Sequence, residues 1–351
     1  MSENDWDREV DVLVVGTGNG GLTAAVCNWE MGSKDVLVIE KQDKVGGTSA
    51  MSGGGIWIPN SHYAQEAGAE DSLDDAKRYL INTLFGEDVP EDMIDTYLEK
   101  SPEMLKFLHD RTDVRYESLA EYPDYYTNME GARAGHRSLE PSPIMASELG
   151  DNWKNMTWTH FMMRMFNRIH FTQVEAHLLM VQLPGWKKLL GRLMWDYIRD
   201  IPWRLKTPIS RRLACGSAGV ARLYLSVLKR QIPIEFNTQM VELIADGDAV
   251  LGAVVESNGQ RQRIRAAKGV VLACGGFEKN QELREQYLPA PTNTAWSAGN
   301  PGNEGDALLA GLSLGAKTRL MKDAWLSQLS QVLDRVQQIH NVIAAKRIRS
   351  G

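Results

Sequence analysis

A short apolar run, Asp11-Val-Leu-Val-Val15, passes directly into Gly16-Thr-Gly-Asn-Gly-Gly21 and then into Leu22-Thr-Ala-Ala-Val-Cys27. Strand, Gly-x-Gly-x-x-Gly and helix in immediate succession leave few folds open. Gly16 permits the tight turn, Gly18 lets the backbone approach a pyrophosphate, and Gly21 lets helix and strand pack closely. Asn19 and Gly20 complete the loop, and the phosphates would rest on N–H groups at the helix N-terminus. A second strand, Asp35-Val-Leu-Val-Ile39, ends in Glu40. That acid lies about 20 residues past the glycines, where a ribose-hydroxyl acceptor is expected. A Gly-rich turn in some other sheet protein is the competing reading, and the two strands, helix and acid together set it aside. NAD and FAD both fit this much.

The next segment chooses between them. Lys41-Gln-Asp-Lys44 leads into Val45-Gly-Gly-Thr-Ser49 and Ala50-Met-Ser-Gly-Gly-Gly55, two Gly-rich turns with small hydroxyl residues. They suit close backbone approach to a second, extended part of the same cofactor. Here the sequence resembles the fumarate reductase/succinate dehydrogenase flavoprotein superfamily, in which a GG-[ST]-S…GG pattern follows the pyrophosphate and flavin. The resemblance implies FAD contacts at Lys41, Gly46, Gly47, Thr48, Ser49, Ser52, Gly53 and Gly54. Covalent attachment in some members needs a histidine near this turn. None stands between Glu40 and Gly55, so the resemblance implies non-covalent FAD.

Later segments agree. Ile232–Phe236, Asn237–Leu243 and Val250–Glu256 read as a β-meander, broken at Gly247 and turned at Asn258-Gly259. Lys268–Phe277 reads as a buried strand ending in Gly275-Gly276. By resemblance, the backbone at Met240 and Val241 meets the adenine, and Ala273, Gly275 and Gly276 lie beside the FAD. Asn303-Glu-Gly-Asp306 resembles a downstream N-x-G-D turn, which adds Asn303 and Asp306. Cys274 reads as a small buried residue packed beside glycine. The fold expected is α/β: a Rossmann-like FAD-binding domain, parallel sheet plus meander, with a helical insertion and an incomplete α+β substrate domain.

A chain of 351 residues, 43% hydrophobic, can bury one large or two medium cores. The net charge of -6 shows none of the basic excess of a nucleic-acid binder. Cys27, Cys215 and Cys274 form no pair, the polar MSENDWDREVD start has no leader pattern, and no apolar run reaches a membrane span. A cytoplasmic setting is expected.

Within the superfamily, Gly53-Gly-Gly-Ile-Trp-Ile-Pro59 and Glu121-Tyr-Pro-Asp-Tyr-Tyr126 resemble the 3-ketosteroid dehydrogenases, which carry GG-x-x-W-x-P and P-D-Y at matching places. A helix capped at Ser72-Leu-Asp-Asp75, and another over about 91–109 with Pro102 marking a break or restart, separate the two segments. The resemblance implies that the P-D-Y tyrosine lies in the active site and supports a base tyrosine. That role falls on Tyr125, with Tyr126 as fallback; a tyrosine-rich loop capping the core is the alternative. The chemistry implied is dehydrogenation of a ring beside a ketone, with hydride passing to flavin N5. The substrate would be an apolar 3-ketosteroid, and no motif specifies the electron acceptor.

Residues 153–206 hold five tryptophans and six methionines. Positions 186, 189, 190, 193 and 197 form one helical face, with Lys187, Lys188 and Arg192 away from it. Packing on the FAD domain is favoured; peripheral membrane contact through 186–206 is the alternative. His160, His170 and His177 give no H-x-x-x-H face, and no metal site is expected.

Family likeness runs through Ala310–Trp325 and stops there. The division expected is an FAD domain over 1–278 with its insertion at about 140–210, the start of a substrate domain over 279–325, and an unrelated amphipathic tail over 326–351, as a frameshift would leave. The family's base tyrosine, carbonyl-polarising tyrosine and glycine N–H would fall beyond Trp325. A catalytically incompetent FAD-binding fragment is therefore one alternative. A fumarate reductase-type enzyme is another, although its dicarboxylate-clamping cations would also lie largely beyond Trp325.

Overall fold

The computed structural model describes residues 6–322. β1 (Arg8–Val15) leads through the glycine loop into α1 (Asn19–Glu30), and β2 (Val36–Ile39) follows. Further along come α2 (Leu73–Thr83), α3 (Glu91–Arg111), α4 (Gln173–Val181), α5 (Trp186–Arg199) and α6 (Cys215–Lys229). The chain then forms β3 (Ile234–Glu235), β4 (Thr238–Asp246), β5 (Ala249–Ser257) and β6 (Gln260–Leu272), and later α7 (Asp306–Ser313).

The main sheet has the order β3-β2-β1-β6-β5-β4. The β3-β2, β2-β1 and β1-β6 pairs are parallel, and β4, β5 and β6 form the antiparallel meander. Both faces of β1 and β2 are covered, which is why these strands read as unbroken apolar runs. Val12, Val14, Val36 and Val38 point into a core shared with α1 and α6. Leu13, Val15, Leu37 and Ile39 point to the other face, against Met240, Leu243, Val255 and Ala310. Val15 is in register with both Ile39 and Leu272. The carboxyl ends of three parallel strands therefore meet at one edge, and Gly16, Glu40 and Ala273 follow immediately.

Several expectations are corrected. The strand expected over 268–277 ends at Leu272, which is 37% exposed because it opens on a cleft. Pro102 breaks nothing, since α3 runs continuously through it. Leu98 and Leu105 are buried on either side of the proline, and their packing offsets the lost backbone hydrogen bond. Ser72 caps α2 as expected, its hydroxyl accepting from Asp75 N–H at 3.1 Å. α6 was not anticipated: nearly all of its first thirteen residues are buried, so it lacks the one-sided apolar stripe that marks an amphipathic helix.

The insertion is helical but carries short strands as well, including the hairpin Arg164–Met165 with Ile169–His170. Trp153 and Trp203 pack with ring centres 5.0 Å apart and planes tilted by 53° inside the main core. Leu189 and Leu193 of α5 pack against Ile169 in a separate small core. Trp195, Ile198, Ile201 and Leu205 stay exposed. No described helix is long and apolar enough to cross a membrane. The expected tail over 326–351 lies outside the described residues.

Candidate FAD site

The glycine loop is built for backbone contact. Gly16 has φ +103°, and a Cβ there would stand 2.5 Å from the Ala273 carbonyl oxygen. At Gly21 a Cβ would stand 2.0 Å from the Gly16 carbonyl. Any side chain at either place would push the loop off its strand. Gly18 is the N-cap of α1 and offers no side-chain cap, which leaves the helix N-terminus presented to a ligand. Ser49 takes one of the N–H groups, its Oγ accepting from Asn19 at 3.1 Å. Asn19 Oδ1 is buried with no hydrogen-bond partner among the described residues.

Glu40 is only 9% exposed. Its Oε2 accepts from Thr17 N–H at 3.1 Å and from the Thr17 hydroxyl, and Oε1 accepts from Gln42 N–H at 3.0 Å. The carboxylate thus locks the loop, and its remaining lone pairs can serve a ribose hydroxyl.

Late segments close the far wall. Thr48 Oγ1 accepts from Asn300 N–H at 2.8 Å and from Asn303 Nδ2 at 3.0 Å. Lys41 Nζ reaches Asp306 at 2.9 Å and Glu304 at 3.0 Å. Burial works against its charge, but the hydrogen bonds to Asp306 and Glu304 outweigh it and hold the ammonium above the usual lysine range. Burial pushes the Cys274 thiol up, so it remains protonated at neutral pH.

These elements enclose a cleft of about 430 Å³, within the usual size of ligand sites. Gly16, Gly18, Asn19, Gly20, Glu40, Lys41, Gly47, Thr48, Ser49, Met240, Ala273, Gly275, Asn303 and Asp306 all line it. Gly21 and Gly46 lie behind the lining and shape its turns. Val241 does not line the cleft: it sits at a β-bulge between Met240 and Glu242 and is 39% exposed. Gly276 lies just past the rim, its carbonyl accepting from Gly305 N–H. Thr17, Gln42, Thr238, Cys274, Asn300 and Gly302 also line the cleft. Sequence reasoning missed them as contacts. Thr17 alone carried a signal, as the variable position inside the glycine motif.

Ser52, Gly53 and Gly54 continue outward from the cleft. Ser52 Oγ donates to the Ser49 carbonyl at 2.8 Å and accepts from Gly54 N–H at 3.0 Å. The α6 N-terminus lies beneath this turn, where Gly216 N–H donates to the Ser52 carbonyl at 3.0 Å. Tyr125 and Tyr126 are not in the cleft. They lie on a loop beyond the short strand Ile56–Trp57, 64% and 45% exposed. Partial burial and the neighbouring Tyr122 push the Tyr125 phenol up to about 12, so it is protonated at neutral pH.

The buried orphan Asn19 Oδ1, the side-chain-free loop at the helix N-terminus and the acid at the end of β2 fit the pyrophosphate and ribose of a dinucleotide. Comparison with known proteins identifies which one. Residues 11–340 match the family described as "FAD binding domain". A 3-oxosteroid 1-dehydrogenase of Comamonas testosteroni is 38% identical over 315 residues, 87% of this chain and 53% of that protein. A 4-oxocyclohexanecarboxylate 2-dehydrogenase of Sinomonas cyclohexanicum is 33% identical over 91% of this chain and 52% of its own length. Among solved structures, a 3-ketosteroid delta1-dehydrogenase from Sterolibacterium denitrificans, in complex with 1,4-androstadiene-3,17-dione, superposes with TM-score 0.86 at 41% identity. That match covers 91% of this chain and 57% of that one. The chain thus spans about half the length of the relatives it matches. With FAD as its cofactor, the chain belongs to the FAD binding domain family of flavoproteins, and its likeness within that family is to the 3-ketosteroid dehydrogenases.

Proposed function

We propose that this chain provides the flavin-binding part of a 3-oxosteroid dehydrogenation, in which a ring C–C bond beside the ketone loses two hydrogens. The observation that carries the reading is the 0.86 TM-score to a steroid-bound dehydrogenase at 41% identity. FAD, when bound, supplies the two-electron acceptor. In this reading the chain's own residues bind and orient it. The α1 N-terminus and the glycine loop hold the pyrophosphate, Glu40 the ribose, and Met240 the adenine side. The Ser49–Gly54 turns run along the flavin. Tyr125, protonated at neutral pH, offers its hydroxyl as a hydrogen-bond donor to the proton-abstracting group, with Tyr126 as fallback.

A second reading is FAD binding by this chain without turnover. One experiment separates the two. The FAD-loaded chain is mixed anaerobically with 4-androstene-3,17-dione, and the visible flavin band is followed. Bleaching, and turnover with an artificial acceptor, supports the dehydrogenase and overturns the second reading. A yellow protein that never bleaches supports the second. A colourless protein contradicts both.

The reading extends to the surface of the insertion. Trp195, Ile198, Ile201 and Leu205 are exposed, with Leu205 at 83%. Residues 186–206 hold six cations against two acids. Apolar residues among cations suit peripheral contact with an anionic lipid surface, from which an apolar substrate would be drawn. Sedimentation with phosphatidylserine-containing vesicles tests this: the chain should co-sediment, and Leu205→Glu should reduce the bound fraction. Equal binding by the variant, or none by either protein, would remove the membrane contact. A cytoplasmic setting is consistent with three free cysteines and completes the proposal.

A further inference from the structure

The loop that carries Tyr125 is exposed at its tip, yet its backbone is pinned on both sides. Asp124 is 4% exposed. Its N–H donates to the Arg133 carbonyl at 2.9 Å, and its Oδ2 accepts from Arg133 N–H at 2.9 Å, which closes the loop on itself. On the other side of Tyr125, Tyr126 N–H donates to the Tyr79 hydroxyl at 3.2 Å.

The same carboxylate is tied to two other parts of the chain. Oδ1 accepts from Trp57 Nε1–H at 2.6 Å, and Oδ2 from Arg137 Nη1 at 2.9 Å. Arg137 is 1% exposed. It forks onto Asp71 at 2.9 and 2.7 Å and donates to the Gly131 carbonyl at 2.8 Å. Its guanidinium also lies 5.7 Å from the Trp57 ring centre and 5.9 Å from that of Tyr79. Trp57 stands three residues after Gly54, in the strand that leaves the proposed flavin turn.

We propose that Trp57 and Asp124 are positioning residues: their hydrogen bond, stiffened by Arg137, fixes where Tyr125 stands relative to the flavin turn. A charged acceptor in a buried setting makes this a strong and directional link. The carboxylate holds the tyrosine loop on one side and the indole of the flavin-side strand on the other. The functional weight of the link rests on the dehydrogenase reading of Tyr125; the mechanical link does not.

The test uses the full FAD-supplemented chain with 3-fluorotyrosine in place of tyrosine, followed by ¹⁹F NMR. Tyr125→Phe assigns the Tyr125 line. Trp57→Phe keeps a ring against Tyr79 and Tyr97 but removes the N–H donor. The Tyr125 line should shift or broaden in Trp57→Phe, while the lines of Tyr116 and Tyr224, buried in the main core, stay where they are. An unmoved Tyr125 line in a folded Trp57→Phe protein would overturn the proposal. Should that variant fail to fold, Asp124→Asn, which gives up the charge facing Arg137, carries the same expectation and the same refutation. No steroid is needed for this readout. If Tyr125→Phe left steroid-dependent bleaching unchanged, Tyr125 would lose its proposed role while the link stood.

Discussion

Acidification should destabilise this chain through one buried histidine. His170 is 1% exposed. Its Nδ1 lies 3.1 Å from Ser210 Oγ, and that hydroxyl donates to the Arg212 carbonyl at 2.9 Å. The ring therefore donates from Nδ1 and leaves a lone pair on Nε2, which has no partner among the described residues. Burial first, then the charges of Arg164 and Arg212, pull its pKa down to about 3. An unfolded histidine titrates near 6.5. Below that pH the unfolded chain takes up a proton that the folded chain refuses. Stability from this group is therefore complete above about pH 6.5 and is lost as pH falls, by about 1.4 kcal/mol per unit until the folded pKa is reached. Between about pH 7.5 and pH 5 the loss comes to about 2 kcal/mol. Urea unfolding at both pH values, on the parent chain and on His170→Asn, measures it. The asparagine keeps a donor to Ser210 and does not titrate. His62 and His160 are also pulled down by burial, but they act in both proteins and cancel in the difference. The parent should lose about 2 kcal/mol more than the variant. Equal losses would refute the reasoning, because they would mean that His170 can be protonated in the folded state.

Other outcomes follow from single contacts. Gly21→Ala places a Cβ 2.0 Å from the Gly16 carbonyl; overpacking costs about 1–3 kcal/mol, and FAD affinity measured by flavin fluorescence should fall about tenfold or more. Arg137→Met leaves the buried Asp124 carboxylate without its cation and Asp71 with only Arg133, 3.6 Å away, and the urea midpoint should report a loss of about 3–5 kcal/mol; a loss well below that would mean that water enters the network.

What could be read from the sequence, and what could not, divides along physical lines. Gly16, Gly18, Gly21 and Glu40 were legible because each answers a local need: a turn, a close approach, an acceptor at a strand end. Thr48 and Asn303 were legible through family resemblance, but the hydrogen bond that joins them spans 255 positions and has no local trace. The bulge that leaves Val241 outside the cleft is a matter of strand register, which residue identities there do not specify. Pro102 misled because a proline's local cost was weighed without the packing of Leu98 and Leu105. α6 escaped notice because its small residues, Cys215-Gly-Ser-Ala-Gly219, look like a turn until a partner surface buries them all round. The link from Trp57 through Asp124 to Arg137 draws on three distant segments and appears only in the folded chain.

The central claim is that this chain binds FAD through the cleft at the carboxyl ends of β1, β2 and β6. Titrating the purified chain with FAD, beside Gly21→Ala, tests it most directly. The parent chain should quench flavin fluorescence saturably and stoichiometrically, and the variant should bind much more weakly. Absence of binding by the parent, or equal binding by a folded variant, would contradict it.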